Sequence, residues 1–265
     1  MKTVLFLLFY SITVIPTIAQ PAISIIGRAD SLFAHRCDRF DAARLLADST
    51  AVFEALHLYR SAIETADNND EKQEALWKYL QAAYFKSQFI DRKPSLRKVT
   101  LAKAIETGET HLAEFPDSVE LHNWLGILWS RWSEVYGIIA AARKGVANKV
   151  RFYAERSVEL DPHYLDGGGW RLLGMVNFKV PHIHLLLTWP SKKKAYEYLS
   201  KAYNTAPNNL YNQLYYAEII ADAGDRDRAI AMLSQIVALD SVRHDPAIDA
   251  FAKRNAAALL TKLSQ

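Results

Sequence analysis

Two histidines, His182 and His184, a glycine triplet at residues 167–169 and a single thiol, Cys37, are the residues whose types first suggest chemistry. None completes a reacting set. The histidines lie two apart, whereas a helix presents a metal pair at i and i+4, and no Asp, Glu or Cys stands near them to finish a ligand shell. His163, between Asp161 and Asp166, sits in turn-like sequence. The glycines follow no strand, so they read as a turn that lets helices approach closely rather than as a phosphate-cradling loop. Cys37 has no second cysteine to pair with and reads as a small buried residue. Neither a metal nor another cofactor is expected, and the chain reads as non-catalytic.

A second group of residues is better suited to binding. Residues 86–103, 131–151 and 179–194 hold 15 lysines and arginines against only Asp91 and Glu134, a net of +13, although the whole chain carries only +3. Aromatic residues are interleaved with these cations. The candidates for contact with a ligand or partner are Arg92, Lys93, Trp132, Tyr136, Arg143, Lys144, Trp189 and Lys193. Such a rim over an acidic body attracts anions, and added salt would weaken the attraction. The same charges could instead only keep hairpin tips solvated. Trp129, Trp132 and Tyr136 share one helical face, a spacing that also suits a core.

The elements that must carry these residues are helical. Half the residues are apolar, 23% are charged, and glycine and proline are sparse, so a sizeable core and long helices are expected. Residues 1–19 stand apart. Lys2 precedes an apolar run from Val4 to Ile15, then come Pro16 and the small-residue site Thr17-Ile-Ala19. This pattern predicts a signal peptide cleaved before Gln20. The run falls short of the roughly 20 apolar residues of a membrane span, and no cysteine follows the site to accept a lipid. Export to the periplasm or medium is therefore expected, with residues 20–265 forming one domain that has no transmembrane segment and no nucleic-acid partner.

That domain repeats. Trp77 and Leu80, then Leu125 and Gly126, then Trp170, Leu173 and Gly174 follow a W-x2-L-G spacing; Ala195, Leu199, Ala202 and Pro207 follow A-x3-F-x2-A-x4-P, and Ala229 opens a further second half. The pattern resembles the tetratricopeptide repeat, a helix-turn-helix unit that stacks into a solenoid. The resemblance implies an all-α solenoid of about five helical pairs with elongated inner hairpins, closed by a C-terminal helix over residues 247–263. Residues 30–67 would be the first pair, with Ala42, Ala43 and Leu46 on one face. Small residues at Gly126, Gly174, Ala195 and Ala229 would allow close packing, and Trp77, Leu80 and Trp170 would fill the neighbouring grooves. In the inner three units the two halves are separated by 9 to 12 more residues than an ordinary repeat needs. Stacking should bring those extensions to one edge.

Two families are resembled more closely. Asp161-Pro-His-Tyr164, Gly167-Gly-Gly-Trp-Arg171 and the later Ala202, Pro207, Asn208 and Ala217 resemble the T-component of bacterial TRAP transporters. That resemblance implies partnership with a periplasmic solute receptor and handling of a small organic anion. His122-Asn-Trp-Leu-Gly-Ile127, Tyr136-Gly137 and Glu155-Arg-Ser-Val-Glu-Leu-Asp-Pro162 resemble the regulator of microtubule dynamics family, which implies a protein-interaction scaffold. The export signal favours the first setting over a tubulin partner.

Overall fold

The computed structural model describes residues 24–181, 189–240, 242 and 245–265. The expected signal peptide and both His182 and His184 lie outside them. Five antiparallel helical pairs follow one another: α1 (Ile25–Ala34) with α2 (Thr50–Thr65), α3 (Asn69–Phe89) with α4 (Pro94–His111), α5 (Val119–Tyr136) with α7 (Val146–Leu160), α8 (Tyr164–Lys179) with α9 (Lys192–Thr205), and α10 (Leu210–Asp222) with α11 (Arg226–Ala238). A short α6 (Ile138–Arg143) interrupts the third pair, and α12 (Pro246–Leu263) closes the array. Among the described residues the only β-type pairing is one isolated bridge, Asp41 with Leu46.

Local chemistry starts these helices where it should. Side chains of Ser24, Asn68, Ser118, Ser191, Asn209 and Asp245 accept backbone N–H groups at the first turns of α1, α3, α5, α9, α10 and α12, meeting donors that have no partner within the helix. Pro94 and Pro246 occupy first-turn positions, where a missing N–H costs nothing. The helix faces then bury Leu76, Leu80, Leu101, Leu121, Leu125 and Leu128 completely, each withdrawing about 1.5–3 kcal/mol of side chain from water. Two apolar clusters result, one spanning α1 to α8 and joined by Ala247 of α12, and one spanning α9 to α12.

The glycines at the join act by close approach. A Cβ on Gly126 would lie 2.9 Å from Leu172, one on Gly168 2.8 Å from Asn123, and one on Gly174 2.5 Å from Leu199. The triplet at 167–169 is therefore packed, and it follows an unusual start to α8: Leu165, Asp166 and Gly167 all have left-handed φ angles. Ala195 and Ala229 are fully buried, as their repeat positions require. Trp77 and Trp170 are only half-buried. Trp170 stacks on Tyr198 at 5.7 Å, and Lys201 lies 4.3 Å from its ring centre. Pro207 stands just after the Ala206 cap of α9 and ends that helix.

The structure departs from the expectation at the first pair. Its leading arm is α1, while Ala42, Ala43 and Leu46 lie in a loop. The Asp41 carboxylate accepts the Arg44 N–H at 3.0 Å, Asp41 and Leu46 exchange two backbone hydrogen bonds, and Leu45 is left-handed. These local bonds outcompete a helical turn. The loop is anchored by Ala47 N–H, which donates to Phe89 O at 2.9 Å.

The inner extensions also differ from one another. In the second pair they lengthen both arms, to 21 and 18 residues. In the third they form α6, which left-handed Gly137 and Gly145 set off from its neighbours. In the fourth the extra residues fall between α8 and α9, where residues 182–188 are not described.

α12 does more than cover the last pair. Its Phe251 ring lies 6.3 Å from that of Phe89 and 6.2 Å from that of Tyr211. Arg36 Nη2 stands 2.6 Å from Asp245 Oδ2, and Arg254 donates to Ala43 O at 2.6 Å. α12 is thereby fastened to the loop after α1, across the face lined by α3, α5, α8 and α10.

Candidate binding surfaces

The extensions of the inner pairs meet along one edge. Lys98 Nζ at the start of α4 lies 4.6 Å from the Tyr136 ring centre at the end of α5. Trp189 donates from Nε1 to Asn148 Oδ1 at 3.0 Å, with the Arg151 guanidinium 5.0 Å from its ring centre. The edge is less free than its composition suggests. Lys86 pairs with Asp91 and Arg131 with Glu134 inside the extensions. Lys149, Arg151, Lys179 and Lys192 pair with Glu109, Glu155, Glu218 and Asp222 of the body. Arg92, Lys93, Arg143, Lys144 and Lys193 remain exposed and form no ion pair among the described residues.

The candidate aromatics behave differently. Trp132 is buried, with its ring stacked on Tyr136 at 3.9 Å and 10° and tilted against Trp129 at 5.5 Å. It is therefore core to the lengthened hairpin, as its helical spacing allowed, and presents no free face to a ligand. Tyr136 is half-buried between Trp132 and Lys98, and Trp189 is held by Asn148 and Arg151. Two hollows border the charged candidates. One of about 310 Å³ is lined by Arg44, Arg92, Arg254 and Phe251, and one of about 460 Å³ by Lys192, Lys193, Tyr196 and Asp222.

A more concentrated site lies on the face that α12 crosses. Arg131 extends from α5 with its side chain only 14% exposed; Nη1 donates to both Glu134 oxygens at 2.8 Å, and its guanidinium lies 5.9 Å from the Tyr84 ring and 5.5 Å from the Phe251 ring. Arg171 extends from α8 and donates to Asn212 Oδ1 at 2.7 Å and to Leu165 O at 3.3 Å. The two guanidiniums share surroundings, since the charges of both interact with Tyr84, Tyr211 and Tyr215.

Their electrostatic states are opposite. Burial acts against charge on Arg131, but Glu134 together with Tyr84, Tyr215 and Tyr211 outweighs it and holds its pKa well above the ordinary value. Burial dominates at Arg171 and lowers its pKa, with only partial relief from Tyr215, Tyr211 and Asp166. Among the described residues Arg171 has no carboxylate hydrogen-bonded to it, and Asp166 acts on it only through space. Burial also raises the pKa of Tyr211 and Tyr215, keeping both phenols neutral hydrogen-bonding groups. The Tyr211 hydroxyl, beside that of Tyr84, completes no hydrogen bond of good geometry, and neither does the indole N–H of Trp124, a residue only 5% exposed, which faces the Tyr164 hydroxyl.

Repeat spacing alone does not reveal this cluster. Tyr84 lies three residues after the motif position of Gln81, Arg131 five after Gly126, and Arg171 three before Gly174. Helix stacking and the return of α12 bring them together. Among the described residues, no group of three or more His, Cys, Asp or Glu side chains is arranged to hold a metal ion, and no helix is long and apolar enough to cross a membrane.

Five stacked helix pairs with small residues at their crossings and a closing helix define a tetratricopeptide-type α-solenoid, a class built to bind other molecules. The chain belongs to the regulator of microtubule dynamics family: it matches regulator of microtubule dynamics protein 1-3 over residues 40–264. Among solved structures it is similar to a thermophilic TPR protein from Thermus thermophilus, at 18% identity and a TM-score of 0.57, covering 89% of this chain and 97% of that one. That likeness establishes the fold alone. No curated protein matches the chain.

Proposed function

We propose that the chain is an exported, non-catalytic binding or adaptor module that receives an acidic group at Arg171 and Arg131, beneath α12. The fold and the family support an interaction module. The observation that carries the specific reading is Arg171, a half-buried cation whose hydrogen bonds go to the neutral oxygens of Asn212 and Leu165. Removing a guanidinium from water without a counter-ion is costly, and a carboxylate arriving beside it returns that cost through charge-assisted hydrogen bonds. Tyr211 offers a further donor nearby.

Two residues that could suggest catalysis have structural duties that support the non-catalytic reading. His122 is buried, its pKa lowered by that burial, and its Nε2 lies 2.8 Å from Pro116 O. The Cys37 thiol is pushed up to about 12 by burial and by Asp245, so it is protonated at neutral pH and a poor nucleophile.

The resemblance to the TRAP T-component, together with the predicted export signal, supports a periplasmic setting in which a solute receptor is the partner and a small organic anion supplies the acidic group. Family membership favours a second reading, a pure protein-interaction scaffold with no small-molecule ligand. Calorimetry against a panel of mono-, di- and tricarboxylates separates the two, with Arg171→Gln as control. Heat from a carboxylate, abolished by the substitution, supports the first. No heat, together with recovery of the same envelope protein by the wild-type chain and by Arg171→Gln, overturns the role given to Arg171.

A further inference from the structure

We infer that the edge formed by the ends of the inner hairpins docks on the surface of an anionic lipid bilayer. Four large aliphatic side chains face solvent there: Leu96 and Val99 near the start of α4 and Ile138 and Ile139 at the start of α6, with exposures of 49%, 66%, 67% and 68%. The Lys98–Tyr136 contact joins the start of α4 to the end of α5, from which α6 departs. The two aliphatic pairs therefore belong to neighbouring hairpins at one edge. Ala140 and Ala141 turn inward and pack on the core, which leaves the isoleucines as the outward face of α6.

Scattered exposed apolar residues are ordinary, but clustered ones with this degree of exposure mark an interaction surface. The choice of occupant rests on charge. Arg92 and Lys93 precede α4, and Arg143 and Lys144 end α6; all four are exposed and form no ion pair among the described residues. The two acidic residues of the second and third extensions are already engaged, Asp91 by Lys86 and Glu134 by Arg131. Aliphatic side chains beside unpaired cations suit a bilayer interface. The former enter the boundary between headgroups and acyl chains, while the long basic side chains reach the phosphates. The core of a protein interface, by contrast, is depleted in lysine. The remainder of the chain after residue 19 carries a net charge of −11, so an anionic surface repels the body while attracting this edge and selects one orientation.

Vesicle co-sedimentation of the full chain tests the inference, using phosphatidylcholine alone and phosphatidylcholine mixed with phosphatidylglycerol. Binding should favour the anionic vesicles and weaken with added salt. The double substitutions Ile138→Asp with Ile139→Asp, and Arg143→Glu with Lys144→Glu, should each reduce binding by about tenfold or more. All four side chains are solvent-facing, so the melting temperature should not change, and it serves as the folding control. A polarity-sensitive dye on Ile139→Cys should shift to the blue with anionic vesicles. Equal binding to both vesicle types, or double variants that bind as the wild type does, would overturn the inference. The second result would also assign any vesicle binding to another part of the chain, such as its apolar N-terminal run.

Discussion

Arg36 Nη2 and Asp245 Oδ2 stand 2.6 Å apart and join the loop after α1 to the first turn of α12. The Asp245 side chain is only 8% exposed. It also caps α12 by accepting the N–H groups of Ala247 at 2.8 Å and Ile248 at 3.1 Å. Breaking a buried ion pair from one side leaves an uncompensated charge, so Asp245→Ala should lower unfolding stability by about 3–5 kcal/mol. Asp245→Asn should cost less, because an amide oxygen still caps the helix. Urea denaturation measures both. A midpoint unchanged by Asp245→Ala would mean that α12 is held by its apolar contacts alone.

Cys37 Sγ lies 3.4 Å from the same carboxylate. Burial and the Asp245 charge push its pKa up from 9.0 to about 12. At pH 8 the folded protein should hold roughly a thousandfold fewer thiolates than a free cysteine would, and alkylation should slow in proportion. Iodoacetamide labelling followed by mass spectrometry should find Cys37 almost unmodified until the protein unfolds. Asp245→Asn should speed labelling of the folded chain. Rapid modification of the wild type under native conditions would refute this account.

Glu109 gathers three helices on one oxygen. Its Oε1 accepts from Trp129 Nε1 at 2.9 Å, Lys149 Nζ at 2.8 Å and Tyr153 OH at 2.9 Å. Burial alone would raise its pKa, but these bonds and the Lys149 charge outweigh it, so the folded pKa lies below the ordinary 4.5. The resulting stability is fully present above the unfolded pKa and is lost as pH falls through the folded one. Glu109→Gln should cost about 1.5–3 kcal/mol at neutral pH, a range typical of hydrogen bonds to a charged group. The gap between variant and wild type should then narrow as pH falls below about 4. Denaturation at pH 7, 5 and 3.5 checks this; a gap independent of pH would assign the loss to packing.

What could be read from the chain and what could not divide along the range of the interactions involved. Leu80, Gly126, Gly174 and Ala229 mark the helix pairs because each repeat imposes the same short-range crossing. Pro207 ends α9 for an equally local reason. The loop at 42–46 imitates an apolar helix face, yet the Asp41 carboxylate and the backbone bonds between Asp41 and Leu46 give it another structure. The edge was legible as a concentration of charge, but its partial neutralisation was not. Lys149 meets Glu109, and Lys179 meets Glu218, across different repeats. The convergence of Arg131, Arg171 and Tyr84 was hidden for the same reason, since it needs the curvature of the stack. Arg36 and Asp245 are separated by nearly the whole chain, and no local pattern announces their contact.

Gly126 and Gly174 occupy the same motif position in successive pairs, but their surroundings should make them respond differently to a methyl group. A Cβ on Gly174 would come within 2.5 Å of both Cδ2 and Cγ of Leu199 and 3.2 Å of its backbone nitrogen. Relief would require moving α9 away from α8, because the obstruction includes main chain. A Cβ on Gly126 would come within 2.9 Å of Leu172 Cδ1, the end of a flexible side chain, and 3.5 Å of Tyr153 Cβ. A change of leucine rotamer can relieve that contact. Both substitutions gain about 1 kcal/mol of helix propensity, against an overpacking cost of about 1–3 kcal/mol where the backbone must shift. Gly126→Ala should therefore be close to neutral, and Gly174→Ala should lower the melting temperature measurably. Equal effects in calorimetric melts would show that the α8–α9 crossing yields as easily as a single side chain.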